Sequence, residues 1–218
     1  MNVFRVVSDV ICPWCYIGKR RLEAALRQLP DTTDVSVSWH PFQLNPGMPP
    51  LGMDKKEYCV RKFGSWARCE ELFAQVTEVG KTVGIELRLD KQPIIPNTFD
   101  AHRVIWFAGQ EGVQDQIVEA LFNAYFCEGV NLSRRPQLIQ VCEEAGLERN
   151  RLERLLRSDE GAAEVLSQER EIKSLGTTAV PLFIIQDRVA LSGAQPPEAI
   201  VQAFEQTQKQ YPELWPDI

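Results

Sequence analysis

The sequence lacks the long apolar run, the export signal and the basic stretch that would place it in a membrane, outside the cell or on nucleic acid. No apolar segment approaches the roughly 18–20 residues of a membrane-spanning helix. The N-terminal sequence MNVFRVV has neither a basic start nor a long apolar stretch, so it does not resemble a secretory signal peptide. The net charge is −6 without a run of lysine or arginine, which disfavours nucleic acid because duplex binding depends on neutralising phosphates. We therefore expect a cytoplasmic protein with neither a membrane nor a nucleic acid as a partner.

The sequence is also poor in the residue clusters that hold metal ions. It has two histidines and six cysteines, and only Cys12 and Cys15 lie close together, in the motif C-P-W-C. Structural zinc takes four ligands, usually from two close pairs, and the chain offers no second pair of that kind. We therefore expect no metal. The remaining cysteines fall in predicted helices and are expected to be buried free thiols rather than redox relays: Cys59, Cys69, Cys127 and Cys142.

The composition is that of a globular protein, with 44% hydrophobic and 25% charged residues, and the length fits one domain or one domain with a large insertion. Apolar periodicity and turn residues predict strands near both ends of the chain and helices through its middle. The predicted strands are 4–8, 35–39, 181–185 and 189–192, and the predicted helices are 13–29, 54–64, 66–84, 97–110, 113–127, 135–145, 148–156, 159–175 and 197–209. This order predicts an α/β fold in which the end segments form one sheet and the helical block is inserted between them.

The C-P-W-C motif lies where the first strand passes into the first helix. Free backbone N–H groups and the positive end of the helix dipole favour a thiolate at Cys12. Pro13 suits the first helical position because its missing N–H would have had no partner there. The three-residue spacing puts Cys12 and Cys15 on one face, close enough to form and break a disulfide. We predict that Cys12 attacks a substrate disulfide and that Cys15 resolves the mixed disulfide; an inert pair of thiols is the alternative.

For each of four further residues, the sequence leaves two interpretations open. Asp9 either tunes the Cys12 thiolate or caps the helix. Trp14 either contacts an apolar substrate or packs on its own helix. His40 either shuttles a proton for Cys15 or is structural. Pro181 either forms a cis peptide bond or simply begins a strand.

The segment Ser8–Glu23 closely resembles the active-site segment of the DsbA-like thioredoxin superfamily, and in particular its FrnE-like subgroup. Further segments match that subgroup: PFQLNP at 41–46, N-T-x-x-A-H-R at 97–103, LFNAYF at 121–126 and SGAQ at 192–195. The resemblance covers nearly the whole chain. It implies a thioredoxin fold with an all-helical insertion between N-terminal β-α-β and C-terminal β-β-α parts. Residues 1–44 and 176–218 then form the thioredoxin-like domain, and residues 45–175 form the inserted domain.

The resemblance also implies which residues meet a substrate. Val180-Pro181 matches the cis-proline element of the family, where the backbone of Val180 is free to pair with a bound peptide. Pro13 and Trp14 then border the substrate beside Cys12. His102, in the matched N-T-x-x-A-H-R segment, is a candidate substrate contact at the same cleft, although a lone histidine is also a common structural residue.

The implied activity is dithiol–disulfide exchange or isomerisation, acting on protein or small-molecule thiols and disulfides. No cofactor is required, because the cysteine pair carries the electrons, and glutathione is the candidate co-substrate. Two alternatives stay open. The 2-hydroxychromene-2-carboxylate isomerases and kappa-class glutathione transferases share this architecture but typically place serine where Cys12 stands. The other alternative is a non-catalytic, chaperone-like binding protein. The oligomeric state is left open.

Overall fold

A computed structural model describes residues 2–30 and 32–214. Its main sheet has four strands in the order β2-β1-β5-β6, formed by β1 (Asn2–Ser8), β2 (Val35–Pro41), β5 (Leu182–Ile185) and β6 (Val189–Ser192). The strands β1 and β2 are parallel and are connected through the helix α1 (Pro13–Leu26), whereas β5 runs antiparallel to both β1 and β6. This mixed sheet with its connecting helix is the α/β, thioredoxin-like arrangement that the sequence predicts.

Of the nine α-helices in the described residues, one connects β1 to β2, seven lie between β2 and β5, and one follows β6. They are α1 (Pro13–Leu26), α2 (Lys55–Phe63), α3 (Trp66–Thr82), α4 (Phe99–Gln110), α5 (Gln114–Asn123), α6 (Arg135–Glu144), α7 (Arg149–Arg157), α8 (Ala162–Ser174) and α9 (Pro197–Gln210). A short two-stranded sheet joins β3 (Met53–Asp54) to β4 (Ile94–Ile95). Each predicted helix and strand is present in the structure. The placement of the domain boundaries at residues 45 and 175 stays a prediction.

The sequence analysis missed small features inside the helical block. The predicted helix 113–127 is not uniform, because α5 passes into a π-helix at Ala124–Glu128. The strands β3 and β4 were not predicted, since two-residue strands leave no periodicity to detect. No helix of the described chain is long and apolar enough to cross a membrane.

The helical hairpin of α2 and α3 corrects one expectation. Cys59 and Cys69 are joined as a disulfide with their Cα atoms 5.9 Å apart, so the prediction that both are free thiols is wrong. The reason is the packing of two helices: α2 ends at Phe63 and α3 begins at Trp66, and the short turn between them brings one buried face of each helix together. Cys127 and Cys142 are free, as expected; Cys142 is buried and Cys127 is half-buried.

Buried charges and rings fasten α1, the helix that carries the C-P-W-C motif, to the inserted block. Lys19 is almost fully buried and contacts Glu23, Asp115 (3.0 Å) and Glu119 (3.3 Å). Burial lowers the pKa of Lys19, but its hydrogen bond to Glu23 and the charge of Asp115 outweigh that effect and raise the pKa above its ordinary value. The Lys19 ammonium therefore stays charged at neutral pH, where it bridges α1 to α5.

Aromatic stacking supports the same junction. The Tyr16 ring stacks on Phe122 of α5 with centroids 5.1 Å apart, and Trp39 of β2 meets Phe122 edge-on at 6.2 Å. On the other side, Phe4 of β1 stacks on Phe204 of α9 at 5.7 Å. Such pairs contribute about 0.5–1.5 kcal/mol each beyond the area they bury. Ring contacts thus join α1 and β2 to α5, and β1 to α9.

Gly18 sets the distance between α1 and the loop before β5. A Cβ atom at this position would lie 3.1 Å from both the Pro181 ring and the Phe183 ring. We expect Gly18→Val to destabilise the protein by about 1–3 kcal/mol, because both neighbours belong to the packed core and have little room to move. The measurement is equilibrium unfolding in urea. Gly47→Val is the matched control, since a Cβ there meets nothing within 4 Å, and equal losses in both variants would contradict this packing argument.

Candidate active site

The C-P-W-C motif lies at the start of α1, immediately after the loop that follows β1. Cys12 is the N-cap residue with extended backbone (φ −91°, ψ 110°), and Pro13 occupies the first turn. The Cys12 carbonyl accepts hydrogen bonds from the N–H of Cys15 (2.9 Å) and of Tyr16 (3.4 Å), which closes the first turn. No side-chain cap forms a hydrogen bond at this helix end, so Cys12 lies beside the free backbone N–H groups and the positive end of the helix dipole.

The two cysteines have different surroundings. Cys12 is 5% exposed, and Cys15 is 1% exposed and lies one turn inside the helix. Burial raises the pKa of the Cys15 thiol well above its usual range, and the adjacent Cys12 sulfur raises the pKa further. Neither sulfur is bonded to another cysteine in this structure. The outer thiol therefore faces the cleft at a helix end, whereas the inner thiol is kept protonated.

The loop before β5 completes the site. The Val180–Pro181 peptide bond is cis, as the resemblance implies. The Cys12 thiol donates to the Val180 carbonyl at 3.6 Å, and the Pro181 carbonyl accepts from the Gly193 N–H at 2.8 Å. The loop is thus fixed to the end of β6 on one side and touches Cys12 on the other.

A cavity of about 300 Å³ opens beside Cys12, between α1 and the α2–α3 hairpin. Trp14 lines the cavity and is 40% exposed. The cavity walls are mostly apolar. They include Ile11, Leu44, Phe63, Leu72, Phe73, Val76, Tyr125 and Phe126, together with Lys62. An apolar group bound to the Cys12 sulfur has space here.

Asp9 and His102 lie behind the cysteines rather than in this cavity. Asp9 is fully buried and does not cap α1 with its side chain; instead its Oδ2 atom accepts from the Leu44 N–H at 2.8 Å. His102 on α4 is 2% exposed, and its Nε2 atom lies 3.5 Å from Asp9 Oδ1. His102 therefore presents almost no surface to a substrate in this structure, and its substrate-binding role stays a prediction.

His40 serves the sheet rather than the cysteines. Its Nε2 atom contacts Ser38 Oγ at 3.1 Å. Burial, assisted by the charge of Arg5, lowers the pKa of His40 to about 4, so the ring is neutral at neutral pH. This environment agrees with the structural interpretation of His40.

The sequence analysis did not find the residues that form the far side of the cavity. Tyr125 and Phe126 belong to the π-helix, a type of turn that is often found at functional sites, and α3 supplies Leu72 and Val76. The only signal for the first two was the matched segment at 121–126. Within residues 2–30 and 32–214, no group of three or more metal-binding side chains is present.

Comparison with known proteins agrees with this geometry. The family model of the DSBA-like thioredoxin domain matches residues 4–205. The chain belongs to this family. The uncharacterized protein YwbO of Bacillus subtilis (strain 168) is 26% identical over 213 residues, which cover 94% of this chain and 96% of YwbO.

Solved structures share the fold over nearly their whole lengths. The probable DsbA oxidoreductase SCO1869 of Streptomyces coelicolor superposes with a TM-score of 0.89 at 28% identity, covering 96% of this chain and 91% of its own. A 2-hydroxychromene-2-carboxylate isomerase superposes at 0.74 with 17% identity, covering 97% and 98%. The cytosolic disulfide reductase DsbM of Pseudomonas aeruginosa, solved with glutathione, superposes at 0.65 with 19% identity, covering 95% and 99%. The last two likenesses concern the fold alone.

The apolar cavity predicts a selectivity in the chemical modification of Cys12. We expect N-phenylmaleimide to alkylate Cys12 faster than N-(2-hydroxyethyl)maleimide does. The ratio of the two alkylation rates should be about tenfold larger at Cys12 than at a small free thiol, because the phenyl group is buried against the cavity wall. Leu72→Asp places a charge in that wall and is expected to abolish the excess. The measurement is peptide mapping of the alkylated protein over time. Leu51→Asp, at an exposed leucine outside the cavity, should keep the excess, and a ratio equal to the free-thiol value in the unmodified protein would contradict the assignment of the cavity.

Proposed function

We propose that this DsbA-like protein is a thiol–disulfide oxidoreductase that exchanges or isomerises disulfides through Cys12 and Cys15. The observation that carries the proposal is the position of Cys12: it lies at a helix N-terminus, beside the buried Cys15 and against the Val180 carbonyl. A nucleophilic thiolate, a resolving thiol and a backbone segment for the substrate are the parts that disulfide exchange needs.

The reaction has two steps that transfer two electrons in total. The Cys12 thiolate attacks one sulfur of a substrate disulfide, which forms a mixed disulfide and releases the first substrate thiolate. Cys15 then loses its proton and attacks the Cys12 sulfur, which forms the Cys12–Cys15 disulfide and releases the second substrate thiolate. Both released thiolates take up protons. The reverse sequence oxidises a dithiol. A substrate is isomerised when a different thiol of that substrate attacks the mixed disulfide, forms a new substrate disulfide and releases the Cys12 thiolate.

In this proposal the residues around Cys12 hold the substrate. The Val180 backbone pairs with an extended segment, Pro181 fixes the approach of that segment, and Pro13 and Trp14 border the group attached to the attacked sulfur. His102 was predicted to contact the substrate, and its burial favours a role behind the cysteines instead.

Glutathione is the co-substrate that we propose, alongside protein or small-molecule thiols. Support comes from the related fold of DsbM, whose structure contains glutathione. No further cofactor is needed in this scheme. The cytoplasmic location stays a prediction; DsbM is described as cytosolic, whereas the Cys59–Cys69 disulfide is not typical of that compartment.

The test is reduction of a small disulfide coupled to glutathione consumption. Cys12→Ser is expected to lose activity by at least about 10³-fold, because the attacking sulfur is gone. Cys15→Ser should accumulate a mixed disulfide at Cys12, visible by mass spectrometry. Cys127→Ser is the matched control, a free half-buried cysteine outside the motif, and should keep full activity.

The alternatives give different outcomes in the same variants. Retained glutathione transfer or isomerisation in Cys12→Ser would favour the kappa-like class of enzyme over disulfide exchange. Unchanged suppression of aggregation in Cys12→Ala, without redox activity in the unmodified protein, would favour the chaperone-like protein.

A further inference from the structure

The apolar cavity beside Cys12 contains a positive charge to which the exchange mechanism above gives no role. Among the described residues that line this cavity, Lys62 of α2 is the single lysine or arginine, and none is an aspartate or glutamate. A charged group among apolar walls fixes the orientation of a bound ligand and selects its chemistry. The lining therefore favours a ligand that combines an apolar group with an acidic one.

Neutral side chains hold the Lys62 ammonium in place. Tyr58 precedes Lys62 by four residues, so the two side chains lie next to each other on α2. The ammonium donates to the Tyr58 hydroxyl at 2.6 Å and to Asn45 Oδ1 at 3.4 Å, and it lies 5.1 Å from the centre of the Tyr58 ring. The Tyr58 hydroxyl donates in turn to Asn45 Oδ1 at 3.1 Å. These contacts orient the ammonium without neutralising its charge.

The surroundings of Lys62 differ from those of nearby cations on the α2–α3 hairpin. Arg61 of α2 pairs with Glu57, and Arg68 of α3 pairs with Glu71. The partners of Lys62 within residues 2–30 and 32–214 are the two neutral side chains alone. An ammonium has three N–H donors, and these contacts use two of them. One donor and the whole positive charge are left for an anionic group of a ligand.

The size and the walls of the cavity limit what that ligand can be. Its volume of about 300 Å³ is at the small end of the range for ligand pockets, about 300–1,000 Å³. Phe63, Phe73 and Phe126 are among the residues that line it, so a flat ring can pack against aromatic surface. The cavity therefore suits one small aromatic group rather than a length of peptide.

We propose that the cavity selects small disulfides in which an aromatic group carries a carboxylate, and that Lys62 binds this carboxylate. The inference rests on the disulfide exchange proposed above and names a substrate class for it. The Cys12 thiolate attacks the sulfur that bears the aromatic group. The substrate S–S bond breaks, the mixed disulfide with Cys12 forms, and the other sulfur leaves as a thiolate. Tyr58 and Asn45 act through Lys62 and are positioning residues.

The experiment compares three disulfides with different chemistry. 4,4′-Dithiodibenzoate has aromatic rings and carboxylates, its diamide has the rings without the charge, and dithiodiglycolate has carboxylates without rings. The rate at which Cys12 of the reduced protein loses its free thiol is measured by acid quenching, alkylation and peptide mass spectrometry. Each rate is divided by the rate of the same reagent with 2-mercaptoethanol, which removes differences in intrinsic reactivity.

The dibenzoate should react fastest on this normalised scale. We expect its rate to exceed the rates of the diamide and of dithiodiglycolate by about fivefold or more, because it alone combines a charge-assisted hydrogen bond with burial of a ring. Lys62→Gln should bring the ratio of dibenzoate to diamide to about one, and Lys62→Glu should bring it lower still, because like charges repel. Lys62→Arg keeps the charge and should retain most of the excess. Tyr58→Phe loses the hydroxyl that orients the ammonium and should retain only part of it.

Matched controls separate a local contact from a general effect of charge. Lys56→Gln and Lys56→Glu make the same changes in net charge on the same helix, but Lys56 does not line the cavity, so both should keep the excess. Equal normalised rates for the dibenzoate and the diamide in the unmodified protein would overturn this inference and leave disulfide exchange in place. The same excess in folded Lys62→Gln and Lys62→Glu, or an equal loss in the Lys56 variants, would also overturn it. If circular dichroism shows that one Lys62 variant is not folded, the other decides. Failure of all three reagents to convert Cys12 to a disulfide would instead refute the exchange reaction itself.

Discussion

The antiparallel pairing of β5 with β1 is the constraint on which the site depends. Val7 pairs with Leu182, so the end of β1 and the beginning of β5 lie side by side at the same end of these two central strands. The loop that leads to Cys12 and the loop that contains Pro181 must therefore meet there. The contact of the Cys12 thiol with the Val180 carbonyl follows from this register, and a shift of one residue would turn the side chains of β5 to the opposite face.

The chemistry comes from placing two like side chains in unlike surroundings. Cys12 lies at a helix end without a side-chain cap, beside an apolar cavity that has space for a substrate group. Cys15 is one turn deeper, where burial raises its pKa and a carboxylate–imidazole pair lies behind it. In the proposed exchange, Cys12 starts the reaction and Cys15 finishes it. The inserted helices take part in this arrangement, because they supply His102 and most of the cavity wall.

Apolar periodicity and residue spacing within short segments were sufficient to predict the helices and strands of the main sheet and to single out the C-P-W-C motif. The apolar run at 181–185 and the C-P-W-C motif after the first strand each depend on a few neighbouring residues, so sequence periodicity and spacing report them directly. The resemblance added the cis bond at Pro181, which the residues alone left undecided. Three features depend on how separate helices and loops pack against one another and were missed. The Cys59–Cys69 bond needs the reversal between α2 and α3, the cavity needs the π-helix against α3, and the Asp9–His102 contact joins residues from two separate segments.

The central claim is that the sulfurs of Cys12 and Cys15 form one two-electron couple. Equilibration of the protein in glutathione buffers of graded ratio, followed by acid quenching, alkylation and peptide mass spectrometry, tests it most directly. The account predicts that both cysteines lose alkylation together, at one midpoint and with the two-electron slope, while Cys142 stays a thiol throughout. Separate midpoints for Cys12 and Cys15, or a Cys12 that ends as a stable glutathione adduct while Cys15 remains alkylated, would contradict it.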